Sequence, residues 1–242
     1  MEFLIFPTAK AASEAAAKPF ISLLQANPNA VLGLATGNSP KLLYQALADS
    51  GVSFADATTF NLDEYACLPE NHPCRYDVFM QNNLFGKLGQ PPKATHFPSA
   101  ANLAVYDDMI AQAGGIDLQL LGIGSAGHIA FNEVGSPLDS LTRVVVLSET
   151  TRRDNSPDFH DIGQQVPELA YSMGIKSVLA AKKIIMLAFG ASKAGVIARL
   201  RALEHDKNGQ MTTDLPASAL WGHGDVTVYL DAASSACSNI EK

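Results

Sequence analysis

A glycine-rich turn that follows an apolar segment constrains this chain more than any other feature. Residues 116–121 are largely apolar and are typical of a buried strand. Three glycines follow within residues 122–127, and they allow the backbone to turn sharply and to lie close to a ligand. The turn therefore delivers His128 and, five residues later, Glu133 to a crevice at the end of the strand.

The glycine spacing in residues 122–127 also matches the G-x-G-x-x-G pattern of dinucleotide sites, and Glu149 lies where a ribose-binding acid would be needed. That kind of site requires a crossover helix directly after the glycines, whereas Gly135 and Pro137 interrupt the chain too soon. The turn also lacks the lysine of a P-loop, and Ser125 lacks the glycine two residues before it that a nucleophile elbow needs. We therefore do not expect a dinucleotide cofactor.

The composition indicates one globular domain over residues 1–242, because 47% of the residues are hydrophobic and no long polar linker or repeat divides the chain. The net charge of −7 argues against nucleic-acid binding. The apolar run near the N-terminus is too short and too acidic for a secretory signal, and no stretch is long enough to span a membrane. The cysteines are odd in number and lack zinc-type spacing, so we expect a cytoplasmic protein with reduced thiols at Cys67, Cys74 and Cys237.

Apolar strands alternate with helices along the chain, which predicts a three-layer, doubly wound α/β fold with a mostly parallel sheet of Rossmann-like topology. The predicted strands are residues 3–6, 31–35, 58–62, 116–121, 143–147, 183–189 and 226–230. Thr8 is suited to cap the first helix, which Pro19 should kink or restart. In such sheets ligands bind at the carboxyl ends of the strands, so the loops there should hold the site.

Two strand-to-helix turns have the sequence of an anion site. Residues 36–40 follow the second strand, with Ser39 suited to an N-cap and Pro40 to the first helical position. Residues 190–193 follow a later strand and add the positive charge of Lys193. Free N–H groups and the helix dipole attract anions at such turns, although an ordinary turn explains residues 36–40 equally well.

Further polar residues lie near the predicted strand ends. Asp63 and Glu64 directly follow the third strand, which favours a functional role over solvated surface. His72 lies in a proline-containing loop and is expected at the surface. Residues 155–167 are polar and broken by prolines, which predicts an irregular segment within a lid at about residues 150–170.

With these residues in view, the chain resembles the glucosamine-6-phosphate deaminase/isomerase family over nearly its whole length. The segments that carry the resemblance are 34–40 (LATGNSP), 60–65 (FNLDEY), 122–124 (GIG), 127–133 (GHIAFNE), 190–193 (GASK) and 216–218 (PAS). The related 6-phosphogluconolactonases share the fold and the Gly-His pair but typically continue differently after the histidine. The FNE and NLDEY sequences therefore favour the deaminases.

The resemblance implies conversion of a 2-amino-2-deoxyhexose 6-phosphate and water to the 2-ketose 6-phosphate and ammonia, without a metal or an organic cofactor. A histidine that titrates near neutral pH suits ring opening, so His128, oriented by Glu133, would move a proton between the C1 hydroxyl and the ring oxygen. Asp63 would be the general base at C2, and Glu64 would support the site without being the base. Residues expected to contact substrate are Thr36, Gly37, Asn38, Ser39, Glu64, Gly124, Gly127 and Lys193, with the phosphate against residues 36–39 and Lys193.

The chain departs from the family pattern at two positions. Ala126 stands where the family usually has Asp or Asn before the Gly-His pair, so one group that would polarise the histidine is missing. Pro157 stands where the family has an arginine on the phosphate, and Arg152 or Arg153 are candidates to replace it. These changes put substrate choice and the rate of ring opening in doubt.

Several alternatives remain open at this point. Galactosamine-6-phosphate isomerases also resemble the chain, including the PASALW pattern at residues 216–221. A 6-phosphogluconolactonase and a sugar-phosphate sensor that binds without turnover are further candidates. The expected partner is a small amino-sugar phosphate, the chain could be a monomer or a homo-oligomer, and Val145 in place of a lysine argues against an allosteric site.

Overall fold

The computed structural model describes residues 1–205 and 211–236, so Cys237 lies outside the described residues. The strands within these ranges are β1 (Glu2–Phe6), β2 (Val31–Leu34), β3 (Thr58–Asn61), β4 (Asp63–Tyr65), β5 (Ala94–His96), β6 (Leu118–Gly122), β7 (Arg143–Val146), β8 (Leu169–Ser172), β9 (Ile184–Ala188) and β10 (Val226–Asp231). The α-helices are α1 (Ala9–Ala26), α2 (Lys41–Asp49), α3 (Tyr76–Asn83), α4 (Tyr106–Gln112), α5 (Glu149–His160), α6 (Ile175–Leu179), α7 (Ala194–Ala202) and α8 (Ala232–Ser235). Short 3-10 helices occupy Phe85–Lys87, Leu103–Val105, Ala191–Lys193, Leu203–His205 and Pro216–Gly222. None of the described helices is long and apolar enough to cross a membrane.

Seven strands form one parallel sheet in the order β1-β10-β9-β6-β2-β3-β5. The chain moves outward from β2 through β3 to β5, and it then returns to β6 on the other side of β2. This is the predicted doubly wound α/β arrangement with flanking helices. The direction of winding reverses between β2 and β6, so the loops that follow these two strands diverge and leave a crevice.

Strands β4, β8 and β7 form a second, antiparallel sheet that the sequence did not predict. Residues 143–147 have the apolar run of a buried strand, yet Val144 and Val146 are 47% and 75% exposed. Side chains alternate between exposed and half-buried along β7, as is usual where one sheet face meets solvent. Main-sheet strands such as β9 are buried at every position.

Helices α1 and α2 begin differently. Thr8 caps α1 as predicted, because its side chain accepts a hydrogen bond from the Ala11 N–H at 3.2 Å. The helix assignment continues through Pro19 without a break. The prediction that Ser39 caps α2 is wrong, since Pro40 occupies the cap position in helical geometry and makes no side-chain cap.

The prediction that residues 155–167 are irregular is wrong for the first half of that segment, which belongs to α5. Ser148 begins the helix by accepting the Thr151 N–H at 3.1 Å. Pro157 has no N–H for the Arg153 carbonyl, and the Ser156 hydroxyl donates to that carbonyl instead at 2.8 Å. The helix therefore tolerates a proline that the sequence pattern interprets as a break.

The prediction that His72 lies at the surface is also wrong, because only 7% of the residue is exposed. Its Nε2 atom is 2.7 Å from Oε1 of Gln164, and its ring stacks on Phe159 at 5.9 Å. These contacts belong to a second hydrophobic cluster beneath α5, which consists of Tyr65, Phe131, Leu147, Phe159, Val166 and Ala170. This second, smaller core therefore holds the segment that was expected to be a loose lid.

Candidate active site

A cavity of about 410 Å³ opens at the carboxyl ends of the central strands. Its walls come from the turns after β2, β6 and β9, from the start of β4 and from one face of α5. It therefore lies where the winding of the sheet reverses. The predicted site residues that line it are Thr36, Gly37, Asn38, Ser39, Asp63, Gly124, His128 and Lys193.

Asp63 begins β4 and lines the cavity, although only 6% of the residue is exposed. Burial, and to a smaller extent the adjacent Glu64 carboxylate, raise the pKa of Asp63 to about 8. The pKa of this carboxyl group thus lies near neutral pH, which is the range in which a proton-transfer catalyst is most effective.

Glu64 lies outside the cavity lining and has a structural task. Its carboxylate accepts backbone N–H groups from Tyr65 at 2.8 Å, Tyr76 at 3.0 Å and Asp77 at 3.3 Å. Two of these amides belong to the first turn of α3, so Glu64 takes the place of a side-chain cap there. Burial raises the pKa of Glu64 despite these hydrogen bonds. By holding the start of α3, Glu64 brings Tyr76 to the cavity wall.

The imidazole of His128 packs directly over Gly124, where an added Cβ would overlap with the ring. The Gly124 N–H also donates to the His128 carbonyl at 2.9 Å, which closes the turn. Burial lowers the pKa of His128, and the charge of Glu133 opposes this only in part. The ring is therefore neutral at pH 7. It has no hydrogen-bond partner within residues 1–205 and 211–236, and it can accept a proton from a bound ligand.

Two other predicted site residues support the turn from outside the cavity. The Glu133 carboxylate accepts the Ser148 N–H at 3.1 Å, which ties the turn to the start of α5. Gly127 has a φ of 95°, and an added Cβ would overlap with Leu215. The Gly127 carbonyl accepts the Ala217 N–H at 2.9 Å. Glu133 therefore affects His128 through its charge. Gly127 allows the turn to adopt a backbone conformation that a larger residue would not fit.

The other end of the cavity has the features of an anion site. Residues 36–39 follow β2, and Gly37 adopts a φ of 95° that an L side chain rarely takes. Lys193 lines the cavity from the turn after β9, and burial lowers its pKa. The Asp231 carboxylate accepts the Gly190 N–H at 3.1 Å and fixes the start of that turn. The two turns can therefore hold an anion between them.

One face of α5 completes the cavity, and the sequence pattern does not reveal this face because no helix was predicted there. Thr151, Asp154 and Asn155 line the cavity at the spacing of neighbours on a helix face. Neither arginine that was a candidate to replace the missing one reaches it. Arg152 lies 3.4 Å from Glu168, and the Arg153 side chain is 76% exposed.

Two hydrogen bonds attach this face of α5 to the rest of the site. The Ser125 hydroxyl donates to Oδ2 of Asp154 at 3.1 Å, and Nδ2 of Asn155 donates to the Tyr65 hydroxyl at 2.8 Å. Ala130 also lines the cavity, in a left-handed conformation with a φ of 48°. The sequence could not reveal this position, because such backbone strain in a residue other than glycine is uncommon.

No cluster of three or more His, Cys, Asp or Glu side chains with metal-binding geometry occurs in the described part of the chain.

Known proteins resemble this chain over most of its length. The sequence profile of a family described as glucosamine-6-phosphate isomerases/6-phosphogluconolactonase matches residues 7–228. The chain belongs to this family. Among curated relatives, a glucosamine-6-phosphate deaminase of Lysinibacillus sphaericus is 46% identical, with 89% of this chain and 92% of the relative covered. Glucosamine-6-phosphate deaminase 2 of Bacillus subtilis is 45% identical, with 86% of each chain covered.

Solved structures of family members divide into two groups by identity. A monomeric glucosamine-6-phosphate deaminase matches with a TM-score of 0.90 and 36% identity, covering 98% of this chain and 100% of that chain. A 6-phosphogluconolactonase from Trypanosoma brucei matches with a TM-score of 0.74 and 19% identity, covering 97% of each. The second likeness shows the shared fold alone.

Proposed function

We propose that this chain converts a 2-amino-2-deoxyhexose 6-phosphate and water into a 2-ketose 6-phosphate and ammonia, with glucosamine 6-phosphate as its substrate. The observation that carries the proposal is the common cavity of Asp63 and His128, which adjoins the anion-binding turns at residues 36–39 and Lys193. The deaminase relatives at 45% and 46% identity support the choice of reaction.

Ring opening is the task we assign to His128. Its neutral imidazole accepts the proton of the C1 hydroxyl and returns it to the ring oxygen as the C1–O5 bond breaks. Glu133 stabilises the cationic ring between these two transfers, since its charge raises the histidine pKa. Gly124 leaves the space that the imidazole occupies.

Isomerisation is the task we assign to Asp63. Its carboxylate removes the proton from C2 of the open-chain sugar and delivers it to C1 through an enolamine intermediate. The product is a C2 imine, which water hydrolyses to the ketone and ammonia. A carboxylate whose pKa burial has raised to about 8 is a stronger base than an exposed one. This reaction needs no metal or organic cofactor.

Binding of the phosphate is the task we assign to Thr36, Gly37, Asn38, Ser39 and Lys193. Backbone N–H groups and the lysine charge would offset the roughly −1.5 to −2 charges of a phosphate monoester. The partner is thus a small sugar phosphate, and we propose that the enzyme works in the cytoplasm without allosteric activation. We further propose that residues 150–170 act as a lid.

An ammonia-release assay tests the proposal and separates it from its alternatives. Purified protein should release ammonia from glucosamine 6-phosphate and form one ketose 6-phosphate per ammonia. Faster release from galactosamine 6-phosphate would assign the other epimer as substrate. Hydrolysis of 6-phosphogluconolactone without ammonia release, or tight binding of both amino sugars without turnover, would reject the proposed reaction.

A further inference from the structure

Asp154 is an acidic side chain of α5 at the wall of the active-site cavity. Its Oδ2 atom accepts the Ser125 hydroxyl at 3.1 Å, and its Oδ1 atom lies 4.0 Å from Nε of the exposed Arg153. Ser125 belongs to the glycine-rich turn and precedes His128 by three residues. One hydrogen bond therefore joins the second turn of α5 to the turn that carries the histidine.

The charged groups that act on the His128 ring come from three elements. Glu133 lies on the same loop as His128, Lys193 lies on the turn after β9, and Asp154 lies on α5. Glu133 and Asp154 favour the protonated ring, whereas Lys193 disfavours it. The Glu133 carboxylate already accepts the Ser148 N–H at 3.1 Å. Asp154 is thus the carboxylate of the proposed lid that favours the protonated histidine.

We propose that Asp154 is a positioning residue for ring opening: its hydrogen bond with Ser125 holds α5 against the glycine-rich turn and keeps a carboxylate in the wall of the cavity that His128 also lines. The inference rests on the proposed function, because it concerns the step in which the ring takes the C1 hydroxyl proton. The imidazolium formed there is stabilised by a negative charge across the cavity.

Kinetics and histidine titration test this role in the whole protein. Asp154→Asn should lower kcat by about fivefold without raising KM for glucosamine 6-phosphate, because removing a negative charge that also acts on Lys193 does not weaken attraction of the phosphate. The His128 signal in an NMR titration is identified by its loss in His128→Gln. In Asp154→Asn the midpoint of its titration should lie at lower pH than in the wild type. Ser125→Ala should change both in the same direction, and Asp154→Glu should restore most of the wild-type behaviour.

Asp158→Asn is the matched control, because Asp158 lies one turn further along α5 and lines a neighbouring cavity instead. It should leave kcat and the His128 titration unchanged. Wild-type kcat and an unchanged titration in Asp154→Asn would overturn the inference, as would equal effects of Asp158→Asn. The titration requires no turnover, so it tests Asp154 even if wild-type protein releases no ammonia and the proposed function fails.

Discussion

At the scale of single residues, the burial of one carboxyl group links chemistry with stability. Asp63 lies in the cavity wall with a pKa raised to about 8 by burial and by Glu64. A carboxyl group whose folded-state pKa exceeds its unfolded value favours folding below the unfolded pKa. That contribution is lost as pH rises through the folded pKa. Ionised Asp63 therefore destabilises the fold.

The first prediction concerns the stability of Asp63→Asn. The amide cannot ionise, so the variant does not suffer the destabilisation that ionised Asp63 causes. The Tm of the variant should therefore increase relative to that of the wild type as the pH rises from 5 to 9. Thermal unfolding followed by circular dichroism measures this difference. Asp49→Asn, at an exposed helix end, is the control. A Tm difference that stays constant with pH would contradict the account.

The second prediction concerns the pH dependence of activity. Asp63 must be ionised to act as a base, and His128 is already neutral at pH 7 because burial lowers its pKa. The value of kcat/KM should therefore rise by about tenfold per pH unit below pH 8 and level off above it. Initial ammonia-release rates between pH 6 and pH 9.5 check this. A flat profile from pH 6 to pH 8 would show that the base titrates elsewhere.

The third prediction concerns the space beneath the histidine. Gly124→Ala places a methyl group where the His128 ring lies, so the imidazole must move. We expect kcat to fall by about 10²-fold or more, since general acid–base catalysis of this kind typically contributes 10²–10⁴-fold. Gly195→Ala, in α7 with nothing near the added Cβ, should retain full activity. Wild-type kcat in Gly124→Ala would remove His128 from the mechanism.

Asp63 and His128 could be predicted from sequence because Asp63 directly follows one apolar strand and His128 follows another through a short glycine-rich turn. Parallel strands bring such ends together. The cap that Glu64 forms on α3 could not be predicted from the sequence, because the amides that Glu64 accepts lie 12 and 13 positions further along the chain, beyond a loop. Asp154 was missed because its helix contains Pro157, and the compensating hydroxyl of Ser156 is visible only in three dimensions.

At the scale of elements, α5 is held by contacts that the sequence pattern hid. The His72 ring is hydrogen-bonded to Gln164 at 2.7 Å and stacks on Phe159. Asn155 donates a hydrogen bond to the Tyr65 hydroxyl at 2.8 Å. The polar composition of this helix predicts a loose segment, whereas its one large apolar side chain, Phe159, is buried in a second small core. A small core of this kind is expected to open locally before the main sheet does.

The fourth prediction follows from this local stability. His72→Ala removes the bond to Gln164 and the stacked ring, so amide hydrogen exchange in residues 149–167 should become at least tenfold faster. Exchange in β6 and β9 should not change. His160→Ala, at an exposed position of α5, should leave both regions as in the wild type. Equal acceleration across the main sheet would mean that α5 does not open independently.

At the scale of the whole molecule, the parallel sheet follows from continuous apolar strands, and its winding reversal places the cavity between β2 and β6. The small antiparallel sheet could not be predicted from the sequence, because the run of valines in β7 resembles a buried strand. In the structure its side chains alternate between exposed and half-buried positions. Contacts between distant segments decide such a case. The family resemblance and the sheet topology nevertheless lead to the same crevice.

The most direct test of the account is transfer of the C2 proton, followed by NMR in deuterium oxide with glucosamine 6-phosphate. Wild-type protein should release ammonia and form a ketose 6-phosphate, with loss of the C2 proton signal at the rate of ammonia release. The Asp63→Asn variant should remove the C2 proton of the substrate at least 10²-fold more slowly than the wild type, because no other ionisable group in the cavity is assigned to C2. Loss of the C2 proton in Asp63→Asn at a rate within tenfold of the wild type would contradict the central claim that Asp63 is the base.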